Sequence, residues 1–551
     1  MTALATPAPV ASRSPTAGGD GQLSALAGFG SLVRLLLRRD RVRMALWFGG
    51  IVGLVLFTAV SITGLYNTPA ELEQYARLAR GSTALVVQVG PGYGLDDPTT
   101  AAVMMNEVGV WTILLVGLMS IFLVVRHTRG EEESERAEMI RAAPAGRHAQ
   151  LAAALVGVTM TNVAVAAGVV ATLLAYDLPL AGTLAFGLVL VGAGSVFAGI
   201  AAVTAQIATV ARSALALGGA ALGISFVLRA VGDVGDGRLT WLSPVGWAQA
   251  IRAYADERWW VLALPVVATA VLVYVAVQLQ NRRDFGAGLV AHRPGRAVAA
   301  PGLATPLALA VRLQRASVVG WTVGVGLIGF FYGIVADQAE GIFDESPELA
   351  DFLAQLGEGS ITEAFLSMAM LIVALIAAGF TVSSVLRLRS EELAGRADPV
   401  LATPTPRYHW ALSHTAVAAG GTVIIMGLSG LAVGVGFALA SGDVGQILPL
   451  LASALVMVPA MLVMAGTVVL AFGLAPRWSP LVWGGFAYAV LVGFFATVLN
   501  LPQWALNISP FQHVPALPAA EFEILPILCL CAVALLLLWA GLVAFARRDM
   551  T

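Results

Sequence analysis

The sequence contains no lysine, so all 31 of its basic residues are arginine. A phosphate-binding loop of the form G-x-x-x-x-G-K-[ST] needs a lysine to reach the terminal phosphates, and a Schiff-base mechanism needs a lysine amine. Both kinds of site are therefore excluded from this chain. If the protein uses ATP through such a loop, a different polypeptide must bind the nucleotide.

Charge is also scarce. Charged residues are 12% and hydrophobic residues 58% of the 551 positions, whereas a typical soluble domain has about 25% charged residues. This composition excludes a soluble globular protein, a disordered chain and a nucleic-acid binder that works through a basic surface. The two cysteines, Cys529 and Cys531, stand two positions apart in one apolar run. A helix points such positions to different faces, so we expect no disulfide between them.

The N-terminal region has two parts. Residues 1–28 are rich in Ala, Pro, Gly, Ser and Thr and show no signal peptide, which predicts a disordered cytoplasmic tail. Residues 30–43 place Leu32, Leu35 and Leu36 on one helical face and arginines on the rest. This pattern predicts an amphipathic helix at the membrane surface, with the basic flank of a first span as the alternative.

Long apolar runs dominate the remainder. Because a bilayer core takes about 20 apolar residues per helix, we predict an all-α polytopic membrane protein with twelve transmembrane helices. Their approximate bounds are 44–64, 108–125, 149–175, 180–207, 213–231, 259–279, 317–336, 364–386, 410–440, 447–473, 481–499 and 524–546.

The arginines set the orientation. With the N-terminus in the cytoplasm, six of the 31 arginines lie outside and the other 25 inside, while 21 of the 33 acidic residues lie outside. Cytoplasmic loops of membrane proteins carry the excess of basic residues. We therefore predict a multi-pass membrane protein with both termini cytoplasmic.

An internal repeat divides the chain. Residues 129–148 align without a gap with residues 389–408, at an offset of 260. The identical positions are Arg129, Glu131, Glu132, Arg136, Ala137, Ala142, Pro144 and Arg147 against Arg389, Glu391, Glu392, Arg396, Ala397, Ala402, Pro404 and Arg407. We predict two six-helix repeats of the same orientation, 29–279 and 303–551, joined by a cytoplasmic linker at 280–302. A pseudo-two-fold axis along the membrane normal would relate them, with a translocation path along it.

The repeated block predicts a charged helix on the inner membrane face. Glu132 and Arg136, and likewise Glu392 and Arg396, have the i, i+4 spacing of helix-supporting ion pairs. We interpret the two copies as docking sites for a soluble partner. The alternative is a solvated turn whose charges only keep the loop inside. The candidate docking residues are Arg129, Glu131, Glu132, Arg136, Arg147, Arg389, Glu391, Glu392, Arg396 and Arg407.

These residues carry a resemblance to a known family. The segment R-H-T-R-G-E-E-E-S-E-R-A-E at 126–138, followed by A-x-P-x-x-R at 142–147, resembles the block after the second span in actinobacterial ABC transporter permeases. The family is that of the polyketide-antibiotic exporters of the tetronasin-resistance type. The R-R-D sequences at 282–284 and 547–549 and the duplicated layout are similar as well.

The resemblance implies the type V ABC exporter fold, and it covers nearly all of the chain after residue 30. It implies connecting helices at 24–43 and 303–316, coupling helices at 130–147 and 390–407, and re-entrant outer segments at 232–258 and 500–523. It also implies two copies of a separately encoded ATPase that hold ATP and Mg, with no cofactor in this chain.

The second coupling block departs from the first. It has Pro399 and Pro406 where the first has Met139 and Gly146. We therefore expect a shorter or kinked second helix, because proline removes a donor and breaks a helix interior.

Few ionisable groups fall inside the predicted spans, which disfavours a proton antiporter. By the resemblance, the second and fifth spans of each repeat would line an apolar substrate path. Ordinary helix packing or lipid contact is the alternative for each candidate. The candidates are Trp111, Met119, Phe122, Phe226, Met368, Met370, Phe486 and Phe495.

We therefore predict the permease subunit of an ATP-driven exporter that moves lipophilic compounds outward by alternating access. The sequence has no H-E-x-x-H motif, no G-x-S-x-G motif with suitable partners and no cluster of metal ligands, so we expect no catalytic or metal site. One alternative is an ion-coupled secondary multidrug carrier. Another is a membrane transferase on lipid-linked donors, with Asp96, Asp97, Asp344 and Glu345 as its acidic candidates.

Overall fold

The computed structural model describes most of the chain. It describes residues 25–66, 68–81, 83–134, 146–283, 305–337, 360–495 and 501–548, together with residues 288, 289, 298 and 303. Within these ranges the regular structure is helical and contains no strand. The predicted tail up to residue 24, Arg136 and most of the predicted linker 280–302 lie outside the described residues.

The chain divides into two compact units, Met1–Pro294 and Gly295–Thr551. The boundary falls inside the segment 280–302. Each unit has a hydrophobic core of its own. Ile113, Val116 and Phe197 are fully buried at the centre of the first unit, and Val373, Phe380 and Val468 at the centre of the second.

The helices of the first unit follow the predicted spans. They are α1 Phe29–Arg39, α2 Arg41–Leu65, α3 Pro69–Gly81, α4 Thr83–Val89, α5 Thr100–His127, α6 Arg129–Glu133, α7 Ala149–Ala175, α8 Leu180–Ile207, α9 Ala211–Val234, α10 Pro244–Ala250 and α11 Ala263–Arg282. Thr99 begins α5 by accepting a hydrogen bond from the Ala102 amide at 3.1 Å.

The second unit has a similar order of long helices. They are α12 Pro306–Ala336, α13 Ile361–Val385, α14 Arg387–Leu393, α15 Asp398–Leu401, α16 Arg407–Ser441, α17 Ile447–Val456, α18 Val458–Leu474, α19 Val482–Phe495, α20 Gln503–Leu506 and α21 Ile524–Arg547. Thr305 and Pro306 start α12, and a capping box of Ser360 and Glu363 starts α13.

Eleven candidate membrane spans, some of them combining consecutive helices, are long and apolar enough to cross a bilayer within the described residues. The predicted span 481–499 is represented by α19, which has 14 residues, because residues 496–500 lie outside the described ranges. The count of twelve, and the arrangement in two repeats, therefore stay predictions.

The two units differ at their first helices. In the first unit the chain breaks at Asp40, and α1 packs on α7 with Leu36 buried against Gly157. In the second unit α12 runs without a break from Pro306 to Ala336. The second expected connecting helix is thus the start of a span rather than a separate element.

Close glycine contacts hold α12 against α16. A Cβ placed on Gly333 would lie 2.1 Å from the Val433 carbonyl oxygen, and one on Gly436 would lie 2.3 Å from the Phe330 carbonyl oxygen. Since no larger residue fits there, the two helix backbones touch directly. Small residues at helix contacts are the usual means of close approach inside a membrane.

Candidate functional site

Residues 128–148, predicted to lie on the inner side and here called the first inner loop, begin where α5 ends. The helix breaks at Thr128 and continues as the short α6. Arg129, the first residue of α6, is fully buried and donates from Nε and Nη2 to the Ala205 carbonyl oxygen, at 3.0 and 2.7 Å. This places a cation at the C-terminal end of α8, where the helix dipole favours positive charge.

Glu132 joins this loop to the end of the last helix of its own unit. Its carboxylate accepts from Arg129 Nη1 at 2.8 Å and from Arg283 Nη1 and Nη2 at 2.9 and 2.5 Å. Arg283 follows α11 directly and also donates from Nε to Gln206 Oε1 at 2.6 Å. The two side chains are nearly inaccessible to solvent, so the pair is a buried, hydrogen-bonded one.

Glu131 and Asp40 join the loop to α1 and α2. Glu131 accepts from Arg39 Nη1 and Nη2 at 3.0 and 2.5 Å. Asp40 accepts from Arg126 Nε at 3.0 Å and lies 2.9 Å from His127 Nε2. Burial by itself would raise the pKa of the Asp40 carboxyl, but the hydrogen bond from Arg126 and the neighbouring cationic charges hold that pKa below its ordinary value.

The second inner loop, residues 386–406, is built differently around Glu391. This buried carboxylate accepts from Arg387 Nε at 3.2 Å and from Arg396 Nε at 2.8 Å. The hydrogen bond and charge of Glu391 raise the pKa of the Arg396 guanidinium above its ordinary value. Gly395 turns the chain with a φ of +64°, and α15 follows.

Glu392 repeats the contact that Glu132 makes. It accepts from Arg548 Nη2 at 2.5 Å, and Arg548 follows α21 directly, as Arg283 follows α11. The predicted pair of Glu392 with Arg396 is therefore wrong, because Arg396 turns back to Glu391 instead. The predicted pair of Glu132 with Arg136 lies outside the described residues.

The last arginine of each block also binds the end of the last long helix of its unit. Arg147 donates to the Asn281 carbonyl oxygen at 3.0 Å, and Arg407 donates to the Arg548 carbonyl oxygen at 2.7 Å. Both arginines are exposed. Each donates to carbonyl oxygens at the C-terminal end of its partner helix, α11 for Arg147 and α21 for Arg407. The repeated R-R-D sequences were the sequence signal for the contacts of Glu132 and Glu392, because the second arginine of each R-R-D is the partner of one of these glutamates.

The surfaces left for a partner are different from those predicted. Glu131 and Glu391 point into the protein rather than outward, whereas Arg396 is exposed and Arg389 half-buried. At the tip of the second loop, the Leu393 side chain is 74% exposed. Sequence reasoning missed Leu393, whose counterpart at the offset of 260 is the exposed Glu133.

The candidate path residues fall into three groups. Trp111 and Phe122 are exposed, and Met119 and Met370 are fully buried in the cores of their units. The half-buried members are Phe226, Met368 and Phe486. Of the Phe495 side chain nothing is described.

Each unit has a cavity beside an equivalent tryptophan. In the first unit, Trp47 and Phe122 line a cavity of about 500 Å³ that also contacts Arg126 and Glu131. In the second unit, Trp321 lines a cavity of about 400 Å³ together with residues of α12 and α13. Trp47 and Trp321 stand six residues after Arg41 and Arg315 in matching stretches of sequence. The sequence match was therefore the signal for these two residues.

Three polar groups in or next to the predicted spans have partners inside the protein. Glu107 accepts from the Tyr75 hydroxyl at 2.6 Å, and Asn162 accepts from the Ser120 hydroxyl at 3.1 Å. Glu363 closes the capping box of α13. These contacts give each of the three groups a structural role.

A buried arginine ties α4, in the segment predicted to lie on the outer side, to α9. Arg229 donates to the carbonyl oxygens of Val86 and Val87, at 3.2 and 2.6 Å, and its guanidinium lies 4.7 Å from the centre of the Phe226 ring. The carbonyls belong to the C-terminal end of α4, so Arg229 caps this short helix.

Comparison with known proteins identifies the family of the chain. Residues 303–546 match the family model described as the C-terminal domain of multidrug efflux system permease Rv1217c. Over 537 residues, 96% of each chain, the sequence is 38% identical to multidrug efflux system permease protein Rv1217c of Mycobacterium tuberculosis (strain ATCC 25618 / H37Rv). Such identity over nearly the full length shows that the chain belongs to this family of multidrug efflux system permeases.

Proposed function

We propose that the chain is the membrane-spanning permease subunit of an ATP-driven ABC exporter that moves lipophilic antibiotics or drugs outward. The observation that carries the proposal is the 38% sequence identity, over 96% of the chain, to a protein named a multidrug efflux system permease. The absence of lysine supports the assignment of ATP binding to another polypeptide, because a phosphate-binding loop needs a lysine that this chain lacks.

The proposal includes the finer architecture. The chain has twelve spans in two parallel repeats of the type V exporter fold, similar to exporters of the tetronasin-resistance type, with both termini in the cytoplasm. Two copies of an ATPase subunit bind ATP and Mg and dock on the two inner loops. Transport then follows alternating access of the helices to either side of the membrane.

The contacts of Glu132 with Arg283 and of Glu392 with Arg548 can transmit movement from the inner loops to the membrane helices. An ATPase that presses on an inner loop moves Glu132 or Glu392, and each carboxylate is bonded to the arginine that ends the last helix of the same repeat. Buried ion pairs resist separation because breaking one leaves an uncompensated charge. The inner loop and the last helix of each repeat therefore move together.

The substrate path is proposed beside the matched tryptophans. The cavities next to Trp47 and Trp321 are partly open and mostly apolar, as sites for lipophilic compounds are. Trp111 and Phe122 are exposed enough to contact a substrate, while the burial of Met119 and Met370 favours a packing role for those two.

The test is transport in vesicles that contain the chain and its ATPase. We expect ATP-dependent movement of a lipophilic fluorescent dye, and none with the chain alone under an ion gradient. In the double variant Glu132→Ala with Glu392→Ala, ATP hydrolysis persists while dye transport falls. The double variant Arg283→Ala with Arg548→Ala breaks the same two contacts from the other side and has the same effect.

Two results would overturn the proposal. The first is dye transport by the purified chain alone, driven by an ion gradient. The second is wild-type dye transport in both double variants with normal ATPase association, which would remove the inner loops from coupling. Gel filtration of each complex separates uncoupling from loss of the folded protein.

A further inference from the structure

An apolar groove of about 720 Å³ runs between α12 and α16 in the second unit. Its volume lies within the range of about 300–1,000 Å³ that is usual for small-molecule sites. From α12 it is lined by Leu307, Val311, Arg315, Val318, Val319, Thr322 and Val323, and from α16 by Ala416, Val417, Gly420, Gly421, Ile424 and Leu428. The α12 residues recur every three or four positions and share one helical face.

Arg315 is the charged residue of this lining. It is exposed, as is Arg312 one turn earlier on α12, and within the described part of the chain neither side chain has an ion pair. The Thr322 hydroxyl donates to the Val318 carbonyl oxygen at 2.8 Å and so is already bonded within the helix. The groove thus has one cation, Arg315, within its apolar lining and a second, Arg312, beside it on α12, a combination suited to an amphipathic anion.

The groove continues past Arg315 to Leu307, and its part between Arg315 and Val323 agrees in depth with one leaflet of a bilayer. The predicted span begins at residue 317, so Arg315 falls at the inner boundary of the hydrocarbon core. From Arg315 to Val323 the helix rises about 12 Å, close to the half-thickness of about 15 Å of the hydrocarbon core. A phosphate at Arg315 would therefore place an attached acyl chain along the apolar wall.

A difference between the repeats opens this space. At the offset of 260, Gly420 corresponds to Met160, which presents a half-exposed side chain on α7. A Cβ added to Gly420 meets no atom within 4 Å, so the missing side chain leaves open room rather than a tight helix contact. Gly420 is thus required neither by turn geometry nor by close packing, and its effect is to keep the groove free.

We propose that this groove binds an anionic phospholipid of the cytoplasmic leaflet. Arg312 and Arg315 hold the phosphate, and one acyl chain lies along Val318, Val319 and Ile424. Basic pockets between helices on the cytoplasmic side are suited to anionic headgroups, whereas a zwitterionic lipid gains less from two cations. The proposal concerns lipid binding and does not depend on which compound the protein transports.

Native mass spectrometry of the full chain in detergent tests the proposal, with phosphatidylglycerol and phosphatidylcholine of identical acyl chains as probes. We expect the wild type to bind phosphatidylglycerol more tightly. Arg315→Gln and Arg312→Gln each weaken that binding about fivefold and reduce the preference. Gly420→Met fills the groove and weakens the binding of both lipids, and Gly420→Ala does so to a smaller extent.

Matched controls come from α9. Arg212→Gln removes another exposed arginine, and Gly223→Met fills another position where an added Cβ meets nothing. Both should bind the two lipids as the wild type does. Equal binding of the two lipids by the wild type would overturn the proposal, as would unchanged binding in the Arg315 and Gly420 variants. Loss of dye transport in Gly420→Met with lipid binding intact would show that a transported compound occupies the groove instead.

Discussion

Arg229 illustrates how one buried side chain organises the outer end of the first unit. It supplies hydrogen bonds to the Val86 and Val87 carbonyls at the end of α4. Arg229→Met leaves these acceptors without their donor and leaves the buried Asp233 carboxylate without its ion-pair partner. We expect the free energy of unfolding to fall by about 3–5 kcal/mol and amide exchange in residues 83–89 to become faster, as thermal unfolding and hydrogen–deuterium exchange can measure.

The matched control for Arg229 is Arg238→Met. Arg238 lies on the same outer side, but its side chain is 88% exposed and its ion pair is with the nearby, exposed Asp236. Surface substitutions of this kind change stability by less than about 0.5 kcal/mol. Equal exchange rates at 83–89 in the two variants would show that Arg229 does not hold α4.

The Glu392–Arg548 contact allows a second test at the level of residues. Glu392→Gln and Arg548→Gln each leave a poorly compensated charge, and the double variant removes both. We expect each single variant to lose about 2–3 kcal/mol of unfolding free energy and a double-mutant cycle to give a coupling energy of about 1–3 kcal/mol. Thermal unfolding in detergent provides the measurement.

Arg389→Gln is the control for this cycle, since Arg389 lies on the same short helix and no ion pair is described for it. It should unfold nearly as the wild type does. A coupling energy near zero between Glu392 and Arg548 would mean that the contact contributes nothing to the folded state.

The sequence could not predict which arginine pairs with which glutamate in the inner loops. The i, i+4 spacing of Glu392 and Arg396 suggested a local pair, yet Arg396 binds Glu391 because Gly395 turns the chain back. The partners Arg283 and Arg548 lie more than 150 residues from their carboxylates. Local spacing carries no information about such distant contacts, although the repeated R-R-D sequences marked the right residues.

At the scale of elements, the contact of α12 with α16 depends on missing side chains. A methyl group at Gly333 would collide with the Val433 carbonyl, so the helices must separate to admit it. We expect Gly333→Ala to lower the unfolding free energy by about 1–3 kcal/mol. Gly326→Ala, on the same helix, meets no atom and should raise helix stability by up to about 1 kcal/mol.

Thermal unfolding of both alanine variants decides this point. The two substitutions are chemically identical and differ only in what the added methyl group meets. If Gly333→Ala and Gly326→Ala had the same effect, close backbone approach would not be what holds α12 to α16.

The long helices were predictable because hydropathy is averaged over some 20 residues, so single irregular positions do not hide a span. A separate amphipathic helix before the first span was predicted as well, but the position of the break, at Asp40 rather than after residue 43, was not. It depends on Asp40, whose carboxylate is held by Arg126 and by the neighbouring His127. The second unit has Gln314 before the matching arginine, and there the helix continues.

For the whole molecule, the unequal loop tips predict unequal docking. The second loop presents the apolar Leu393, and the first presents Glu133, whose carboxylate also accepts from the Ala211 amide at 2.9 Å. We expect Leu393→Glu to release one of the two ATPase copies that we propose. Glu133→Leu should retain both. Light scattering of the purified complex gives the stoichiometry, and two firmly held copies in Leu393→Glu would contradict the unequal arrangement.

In each unit, an arginine just after the last long helix fastens that helix to one of the two repeated glutamates. Arg283 binds Glu132 and also Gln206, and Arg548 binds Glu392 and also the Phe472 carbonyl oxygen. A lysine at either position would keep the charge but would replace the fork of guanidinium nitrogens with a single nitrogen, so it could not reach both partners in the same way. The use of arginine alone therefore has a mechanical consequence at these two positions.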